Sequence, residues 1–321
     1  IESDASESFV TFQPLGIVLA VMPWNFPFWQ VFRFAAPALM AGNAGILKHA
    51  SNVPGCAMAI ERIFQDAGFP ANLFTTVLIK SDQVEGVIRN PQVKAVTLTG
   101  STPAGKSVAS IAGNSLKKTV LELGGSDPYV VLENAALKKT AETCATSRMI
   151  NSGQSCIAAK RFIVVESVYD EFMSHFIKEM KKYTPGDPMS DDTNLGPMAR
   201  TDLRDELHQQ VLDSIDKGAT CILGGKIPEE EGAWYVPTIL TNVSAGMPAY
   251  DEELFGPVAA VIKAKDEQHA ITLANDTEFG LGAAVFTEDK SKGREIASNQ
   301  LEAGCCFVNE FVKSDPRLPF G

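Results

Sequence analysis

The sequence predicts an α/β fold, and two observations carry that prediction. Short runs of β-branched and other apolar residues alternate with helical segments almost from end to end. Most of these runs are apolar throughout, as in "GIVLAVM" at 16–22 and "RFIVVE" at 161–166. Strands of that kind belong to parallel sheets that helices cover on both faces. We therefore expect parallel sheets enclosed by helices.

The elements follow from these runs in chain order. Strands are predicted at 16–22, 44–48, 74–79, 95–100, 119–125, 129–132, 161–166, 219–225, 258–264, 282–287 and 305–309. Helices are predicted around 30–41, 55–67, 82–89, 103–112, 136–150, 168–182, 200–217, 267–275 and 290–300. The acidic stretch "IPEEEGAWYVP" at 227–237 predicts an exposed loop that returns to an edge strand.

A turn-rich seam, "LELGGSDP" at 121–128, divides the series into two domains. Before the seam, the strand–turn–helix units predict a nucleotide-binding domain over 14–124. After the seam, a second α/β domain is predicted over 125–321. Two such lobes imply a cleft.

The composition excludes several classes of function. The 321 residues carry a formal net charge of −11, so the chain lacks the basic footprint that binds nucleic acid or an anionic membrane. The longest apolar runs are too short to span a bilayer, and the acidic start "IESDASES" is unlike a signal peptide. We expect a cytoplasmic protein.

Cysteine and histidine spacing predicts neither disulfides nor a metal site. The six cysteines, at 56, 144, 156, 221, 305 and 306, lack the regular spacing of a secreted framework and include no C-x-x-C pair. The four histidines are scattered and form no H-x-x-x-H pair. We therefore expect reduced thiols.

One cysteine is distinguished by its neighbours. Cys156 lies in "NSGQSCIAAK" at 151–160, between a Gly-Gln-Ser turn and a Lys-Arg pair. A lone cysteine is most often a buried packing residue. Four polar stretches nevertheless follow predicted strands, which is where ligands bind in open α/β sheets. They are "MPWNFPFWQVFR" (22–33), "LKHAS" (47–51), "TLTGSTPAG" (97–105) and "LELGG" (121–125).

Five motifs, "PWNFP", "LTGSTPAG", "LELGG", "GQSC" and "EELFGP", in this order and at this spacing, resemble the aldehyde dehydrogenase superfamily. The resemblance covers essentially the whole chain. "LELGGSDP", "NLGPMARTDLRDELHQQV" and "EELFGPVAAV" are similar to bacterial succinate-semialdehyde dehydrogenases. The resemblance implies a Rossmann-type cofactor sheet, a second catalytic α/β domain, and NAD(P)-dependent oxidation of an aldehyde, succinic semialdehyde to succinate.

The resemblance also implies three catalytic residues. Cys156 is the nucleophile, whose thiolate adds to the aldehyde and holds a thioester after hydride transfer. Asn25 and the backbone N–H of Cys156 donate to the oxygen of the adduct. Glu122 is the general base for thioester hydrolysis, since burial beside an apolar strand raises the pKa of a glutamate. Taken alone, Asn25 is better explained as a turn residue and Glu122 as a surface ion-pair partner.

The cofactor implied by the resemblance is NADP or NAD. "GSTPAG" would offer a helix N-terminus to a pyrophosphate, although by itself it is a weak signal, since many such turns are only helix caps. "EELFGP" is likewise either a cofactor contact or an acidic turn with a core phenylalanine. Ser51 stands where many NAD-preferring relatives carry a glutamate, and a serine does not repel a 2′-phosphate, which favours NADP. The implied cofactor residues are Trp24, Lys48, Ser51, Gly100, Ser101, Leu123, Glu253 and Phe255.

Substrate recognition is assigned to Arg33 and Ser314. Arg33 stands six residues after Pro27, where succinate-semialdehyde enzymes resemble one another in carrying an arginine for the distal carboxylate. The alternative for Arg33 is a structural salt bridge. Ser314, in "VKSDPRLPFG", is a second candidate contact, with Arg317 nearby. The expected partner is a small aldehyde, and neither nucleic acid nor a membrane is expected.

The chain departs from the family pattern at both ends. Residues 1–13 resemble only the last part of an oligomerisation hairpin, and "LPFG" stops short of the expected terminal strand. We therefore expect a chain truncated at both ends, with lowered stability, a partly bare cofactor sheet and a monomer or irregular oligomer. Two alternatives to the dehydrogenase remain open: an inactive or weakly active homologue that acts as a binding module, and a cofactor-independent thiol esterase.

Overall fold

The computed structural model describes residues 2–320, which form two compact units. The first unit extends to Leu123, and the second begins at Gly124. Among the described residues, the first unit contains a five-stranded sheet and the second a seven-stranded sheet. The predicted α/β class is confirmed.

The first unit alternates strands and helices. Its strands are β1 (Ile17–Met22), β2 (Ala44–His49), β3 (Phe74–Thr76), β4 (Val93–Thr99) and β5 (Lys118–Glu122). Its helices are α1 (Trp29–Met40), α2 (Pro54–Asp66), α3 (Val84–Arg89) and α4 (Thr102–Asn114). The strands are all parallel, in the order β3-β2-β1-β4-β5. The chain thus builds outwards from β1 to one side and then crosses to the other.

The apolar strands explain the layering of this unit. Successive side chains of a strand point to opposite faces of the sheet. In β1, Ala20 belongs to an apolar cluster with residues of α1 and α2, whereas Leu19 belongs to a cluster with residues of α3 and α4. Both residues are 0% exposed. A strand that is apolar throughout is therefore buried on both of its faces.

The second unit continues the alternation. Its strands are β6 (Pro128–Val131), β7 (Arg161–Val165), β8 (Thr220–Leu223), β9 (Thr238–Thr241), β10 (Val258–Ala264), β11 (Gly282–Phe286) and β12 (Cys305–Val308). Its helices are α5 (Leu137–Met149), α6 (Tyr169–Met180), α7 (Thr201–Asp216), α8 (Pro248–Asp251), α9 (Glu267–Asn275) and α10 (Lys290–Asn299). The strand order is β12-β11-β6-β7-β10-β9-β8. Residues of α5 and α6 share one apolar cluster, and residues of α7, α9 and α10 share another.

The prediction that the strand after the acidic loop lies at the edge of the sheet is wrong. The loop leads to β9, whose four residues are buried and which lies between β10 and β8. The edge is β8, which pairs antiparallel with β9 and alternates exposed with half-buried residues. The burial of β9 depends on β8 folding back beside it, a contact that a local pattern does not reveal. Within residues 2–320, no helix is long and apolar enough to cross a membrane.

Candidate active-site residues

The carboxyl ends of the strands in the first unit carry the predicted cofactor and catalytic residues. Lys48 is the fifth residue of β2, Glu122 is the last residue of β5, and Ser101 follows β4. Trp24 and Asn25 follow β1. The strands β1 and β4 are neighbours from which the chain runs to opposite sides of the sheet. The crevice at their carboxyl ends is the place where open α/β sheets bind nucleotides.

The turn after β4 fits a phosphate group. Ser101 caps α4, and its Oγ accepts a hydrogen bond from the N–H of Ala104 at 3.5 Å. A Cβ on Gly105 would lie 2.4 Å from Cδ2 of Leu123, so a glycine is needed for α4 to pack against the end of β5. The helix cap that the sequence analysis gave as the alternative role of "GSTPAG" is therefore present, with Ser101 as the capping residue. It leaves the N-terminus of a 13-residue helix at the sheet edge, where an anion is stabilised.

Lys48 and Ser51 lie at the end of the neighbouring strand. Lys48 is 8% exposed, and burial lowers the pKa of its ammonium. Ser51 is exposed in the turn that precedes α2. An exposed serine brings neither bulk nor charge to this turn.

His49 holds the loop that contains Asn25, a role the sequence analysis missed. It is 6% exposed, and its Nδ1 accepts a hydrogen bond from the N–H of Ala50 at 2.9 Å. Nδ1 also lies 3.2 Å from the carbonyl oxygen of Met22, to which it would donate in the other tautomer, and Nε2 lies 2.9 Å from the carbonyl oxygen of Pro27. The loop after β1 is thereby tied to β2. The only signal in the sequence is a polar residue at the end of an otherwise apolar strand.

Replacing His49 by leucine is expected to lower both stability and turnover. Losing the donor to a partly buried carbonyl costs about 1–3 kcal/mol, and loosening the Asn25 loop lowers turnover on the order of tenfold. Urea denaturation and steady-state kinetics measure the two effects. The control is His175→Leu on α6, where the histidine side chain is 29% exposed. An unchanged free energy of unfolding in His49→Leu would contradict this assignment.

Glu122 and Arg33 form an ion pair within the first unit. Arg33 lies on α1, and its Nη2 is 3.5 Å from Oε1 of Glu122. The two side chains are 24% exposed for Arg33 and 15% for Glu122. Burial raises the pKa of Glu122, and the charge of Arg33 opposes that rise. A partly exposed carboxylate with a raised pKa is suited to take a proton from water. The ion pair that the sequence analysis gave as an alternative role for each residue is therefore present, with Arg33 and Glu122 as partners.

A strained turn leads to Cys156 in the second unit. We define the nucleophile turn as residues 150–156. Asn151, Ser152 and Gly153 have φ values of 53°, 54° and 73°, a left-handed conformation that persists only where surrounding contacts hold it. Arg148, which is fully buried, donates from Nη2 to the carbonyl of Gly153. The turn ends at Cys156, which is half-buried.

The glycines of "LELGG" make room for two groups of the second unit. A Cβ on Gly124 would lie 2.5 Å from Oε2 of Glu253. A Cβ on Gly125 would lie 2.5 Å from the carbonyl oxygen of Cys156. The N–H of Gly125 also donates to Oε1 of Glu253 at 3.1 Å. The bare backbone therefore lets a carboxylate and the nucleophile turn approach it closely.

Glu253 and Phe255 line a cavity of about 410 Å³ in the second unit. The acidic residues around this cavity are Glu206, Asp213, Glu252 and Glu253. Acidic walls favour hydroxyl donors, such as those of a ribose, over a phosphate. Phe255 is half-buried rather than a core residue, so its ring supplies an apolar wall of the cavity.

Ser314 lies in the loop that follows β12. The loop is anchored where the N–H of Val312 donates to the hydroxyl of Tyr129 at 2.7 Å. Ser314 is half-buried, whereas the Arg317 side chain is 86% exposed and pairs with Asp315 through Nη2 and Oδ2 at 2.6 Å. Arg317 is thus paired within its own loop. The substrate role of Ser314 stays a prediction.

Comparison with known proteins decides the family. A model described as "Aldehyde dehydrogenase family" matches residues 1–321. The chain belongs to the aldehyde dehydrogenase family. A probable succinate-semialdehyde dehydrogenase, NADP(+), of Synechocystis sp. is 51% identical over 321 residues, which are 100% of this chain and 70% of that protein. Succinate-semialdehyde dehydrogenase, NADP(+), 1 of Mycobacterium ulcerans is 51% identical over 317 residues, which are 99% of this chain and 69% of that protein.

Solved aldehyde dehydrogenases have the same fold. The crystal structure of succinic semialdehyde dehydrogenase from Streptococcus pyogenes, in complex with NADP+, matches with a TM-score of 0.97 and 38% identity. The match covers 100% of this chain and 70% of that one. Betaine aldehyde dehydrogenase from Staphylococcus aureus, in complex with NAD+, matches with a TM-score of 0.92 and 31% identity, over 96% of this chain and 62% of that one.

Family membership makes this chain an aldehyde dehydrogenase with predicted site residues in both units. The first unit brings Trp24, Asn25, Lys48, Gly100, Ser101 and Glu122 to one sheet edge, with Arg33 beside Glu122. The second unit holds Cys156 on its strained turn and Glu253 and Phe255 at its acidic cavity. Across residues 2–320, no group of His, Cys, Asp and Glu side chains is arranged to hold a metal ion.

Proposed function

We propose that this protein oxidises succinic semialdehyde to succinate, with NADP preferred over NAD. The ion pair between Arg33 and Glu122 carries the proposal. A guanidinium is the natural partner of a carboxylate, and here it lies beside a carboxyl group whose pKa is raised by burial. The guanidinium proposed to bind the substrate carboxylate therefore lies beside the proposed general base. The names of the relatives in Synechocystis and Mycobacterium support the same choice.

Cys156 supplies the nucleophile. The thiolate lone pair forms a bond to the aldehyde carbon, and the π electrons of the carbonyl move onto its oxygen. The side-chain amide of Asn25 and the N–H of Cys156 stabilise that oxyanion. The nicotinamide of a bound cofactor supplies the hydride acceptor for this reaction. Cys156 then holds the acyl group as a thioester.

Glu122 completes the turnover. Its carboxylate takes a proton from a water molecule, whose oxygen attacks the thioester carbon. The C–S bond breaks, succinate leaves, and the electron pair of that bond returns to Cys156 as a thiolate. The proton on Glu122 passes to solvent, which its side chain reaches because it is 15% exposed.

The predicted cofactor residues would each hold a different part of the cofactor. The N-terminus of α4 with Ser101 suits the pyrophosphate, and Lys48 suits the adenosine ribose. Glu253 accepts hydroxyl donors in the acidic cavity, and Phe255 packs against a flat ring. All six cysteines are free of disulfides, which supports a reducing, cytoplasmic compartment for the reaction.

The variant Ser51→Glu is expected to reverse the cofactor preference. A carboxylate at this exposed position repels a 2′-phosphate and accepts the hydroxyls of an unmodified ribose, so NADP efficiency falls roughly tenfold or more while NAD efficiency holds or rises. Values of kcat/KM for the two cofactors measure the change. Ser110→Glu, on an exposed site of α4, is the control. Equal losses for NADP and NAD would count against a role for Ser51 in selection.

The variant Arg33→Met is expected to lose discrimination for an acidic substrate. Removing a charge-assisted hydrogen bond costs about 1.5–3 kcal/mol, so the kcat/KM ratio of succinic semialdehyde to butanal falls about 10- to 100-fold. Arg62→Met is the control, because Arg62 forms an exposed ion pair with Asp66 on α2. A parallel loss on both aldehydes would instead indicate that Arg33 only holds Glu122.

Absorbance of reduced nicotinamide tests the function directly. Purified protein is mixed with succinic semialdehyde and either NADP or NAD, beside Cys156→Ala. A signal that vanishes in the variant supports the dehydrogenase. Silence from folded protein that shows no saturable binding of NADP would favour the inactive binding module, and hydrolysis of an ester without cofactor would favour the thiol esterase.

A further inference from the structure

Lys160 is a buried lysine with a full set of hydrogen-bond acceptors. It lies four residues after Cys156, immediately before β7, and its side chain is 1% exposed. Its Nζ donates to the carbonyl of Ser155 at 2.9 Å and to the carbonyl of Cys156 at 2.7 Å. The third neighbour is Oε1 of Glu253 at 3.2 Å. An ammonium has three N–H donors, and three acceptors surround this one.

The three acceptors favour the charged form of Lys160. A neutral amine has only two N–H donors and would lose one of these three contacts. The pKa of Lys160 is lowered from its usual value, chiefly by burial and further by the charge of Arg148. Glu253, Asp127 and Cys156 act in the opposite direction. Since the interaction is mutual, an ammonium that gains from the charge of Cys156 also favours the thiolate of Cys156.

The same ammonium joins two segments that are far apart in the sequence. One is the nucleophile turn, whose left-handed residues are anchored by Arg148 at the carbonyl of Gly153. The other is the segment of Glu253, whose Oε1 is also bound by the N–H of Gly125. Lys160 contacts the turn at its C-terminal side, where the nucleophile lies. Without this contact, fewer hydrogen bonds would hold the turn in its strained left-handed conformation.

We propose that Lys160 is a positioning residue for the reaction: its ammonium fixes the nucleophile turn, and with it Cys156, to Glu253. The inference rests on the proposed function, in which Cys156 attacks the aldehyde and Glu253 contacts the cofactor. Lys160 contacts neither substrate nor cofactor in this role. It acts through the carbonyls of Ser155 and Cys156 and through the carboxylate of Glu253.

Substitutions of Lys160 separate positioning from simple packing. Lys160→Met keeps most of the side-chain length but removes the charge and the donors, whereas Lys160→Arg keeps both. We expect Lys160→Met to lower kcat for succinic semialdehyde at least thirtyfold with KM for NADP changed less than threefold. Lys160→Arg should recover most of that loss. Lys263→Met, which removes a half-exposed lysine of β10, is the matched control.

Alkylation by iodoacetamide tests the cysteine without cofactor or aldehyde. Mass spectrometry follows Cys156 together with Cys144, which is 0% exposed and therefore reports loosening of the fold. In Lys160→Met, we expect Cys156 to react at least fivefold more slowly than in wild type while Cys144 stays protected. A wild-type rate at Cys156, or faster reaction of both cysteines, overturns the proposal.

Two further outcomes are separable. If Lys160→Met does not fold, Lys160→Gln, which keeps two donors but not the charge, is given the same alkylation test with the same criteria. If wild-type protein fails to reduce NADP but the alkylation pattern is as expected, the proposed function fails and the role of Lys160 towards Cys156 stands. If wild-type protein reduces NADP but alkylation of Cys156 is unchanged in the variant, the proposed function stands and the role of Lys160 fails.

Discussion

Replacing Cys156 by alanine is expected to abolish aldehyde oxidation, with kcat/KM falling at least about 10⁴-fold. A hydride leaves readily only from an adduct whose oxygen is negatively charged, and the thiolate of Cys156 creates that adduct. Without the sulfur, neither the adduct nor the thioester forms. Reduction of NADP in the presence of succinic semialdehyde measures the loss.

The matched control for this variant is Cys221→Ala, because Cys221 is a half-buried cysteine on the edge strand β8. It should retain activity within about twofold of wild type, as expected for a substitution away from the reacting groups. NADP titration of Cys156→Ala should still show saturable binding. Substantial oxidation by Cys156→Ala would mean that another group is the nucleophile.

Replacing Glu122 by glutamine is expected to trap the reaction after its first half. Loss of a general base lowers the step that it assists about 10²- to 10⁴-fold, so the thioester accumulates. A rapid-mixing experiment should show a burst of about one NADPH per chain followed by slow turnover. Mass spectrometry of the quenched protein should find the acyl group on Cys156. Glu85→Gln, at an exposed ion pair on α3, is the control.

The pH dependence of wild-type turnover gives the same assignment a second test. Glu122 acts as a base only when ionised, and burial raises its pKa above the usual 4.5. Thioester hydrolysis should therefore decline as the pH falls through that raised pKa. Arg33→Met removes the charge that opposes the rise, so the decline should begin at a higher pH. Absence of the burst in Glu122→Gln would contradict the assignment of Glu122 as the general base.

Much of the fold could be predicted because strands that are buried on both faces are visible in the sequence. "VAAVIKA" is observed at its predicted bounds, and β1 differs from its prediction by one residue. Pro54 and Gly100 mark where α2 begins and where β4 has ended. The strand β9 is expected after the acidic loop, but its position inside the sheet is not, because its burial comes from neighbours distant in the sequence.

Residues of the candidate site could be predicted from the sequence only where they lie in a recognisable motif. Cys156, Glu122 and Asn25 were chosen from motifs, and their proposed roles still await experiment. His49 and Lys160 have no motif, and their importance lies in which backbone carbonyls they reach. The pairing of Arg33 with Glu122 joins residues 89 positions apart, so no local pattern contains it. The polar stretch "LKHAS" marks the end of β2, but nothing in it singles out His49.

The left-handed residues of the nucleophile turn also limit how this protein can be engineered. Substituting glycine by alanine often raises stability, because it restricts the unfolded chain. At Gly153 the same change would fail, since φ is +73° and a new Cβ would lie 2.2 Å from the carbonyl oxygen of Gly256. Libraries built for thermostability should therefore leave residues 151–153 unvaried and draw their substitutions from exposed helix positions.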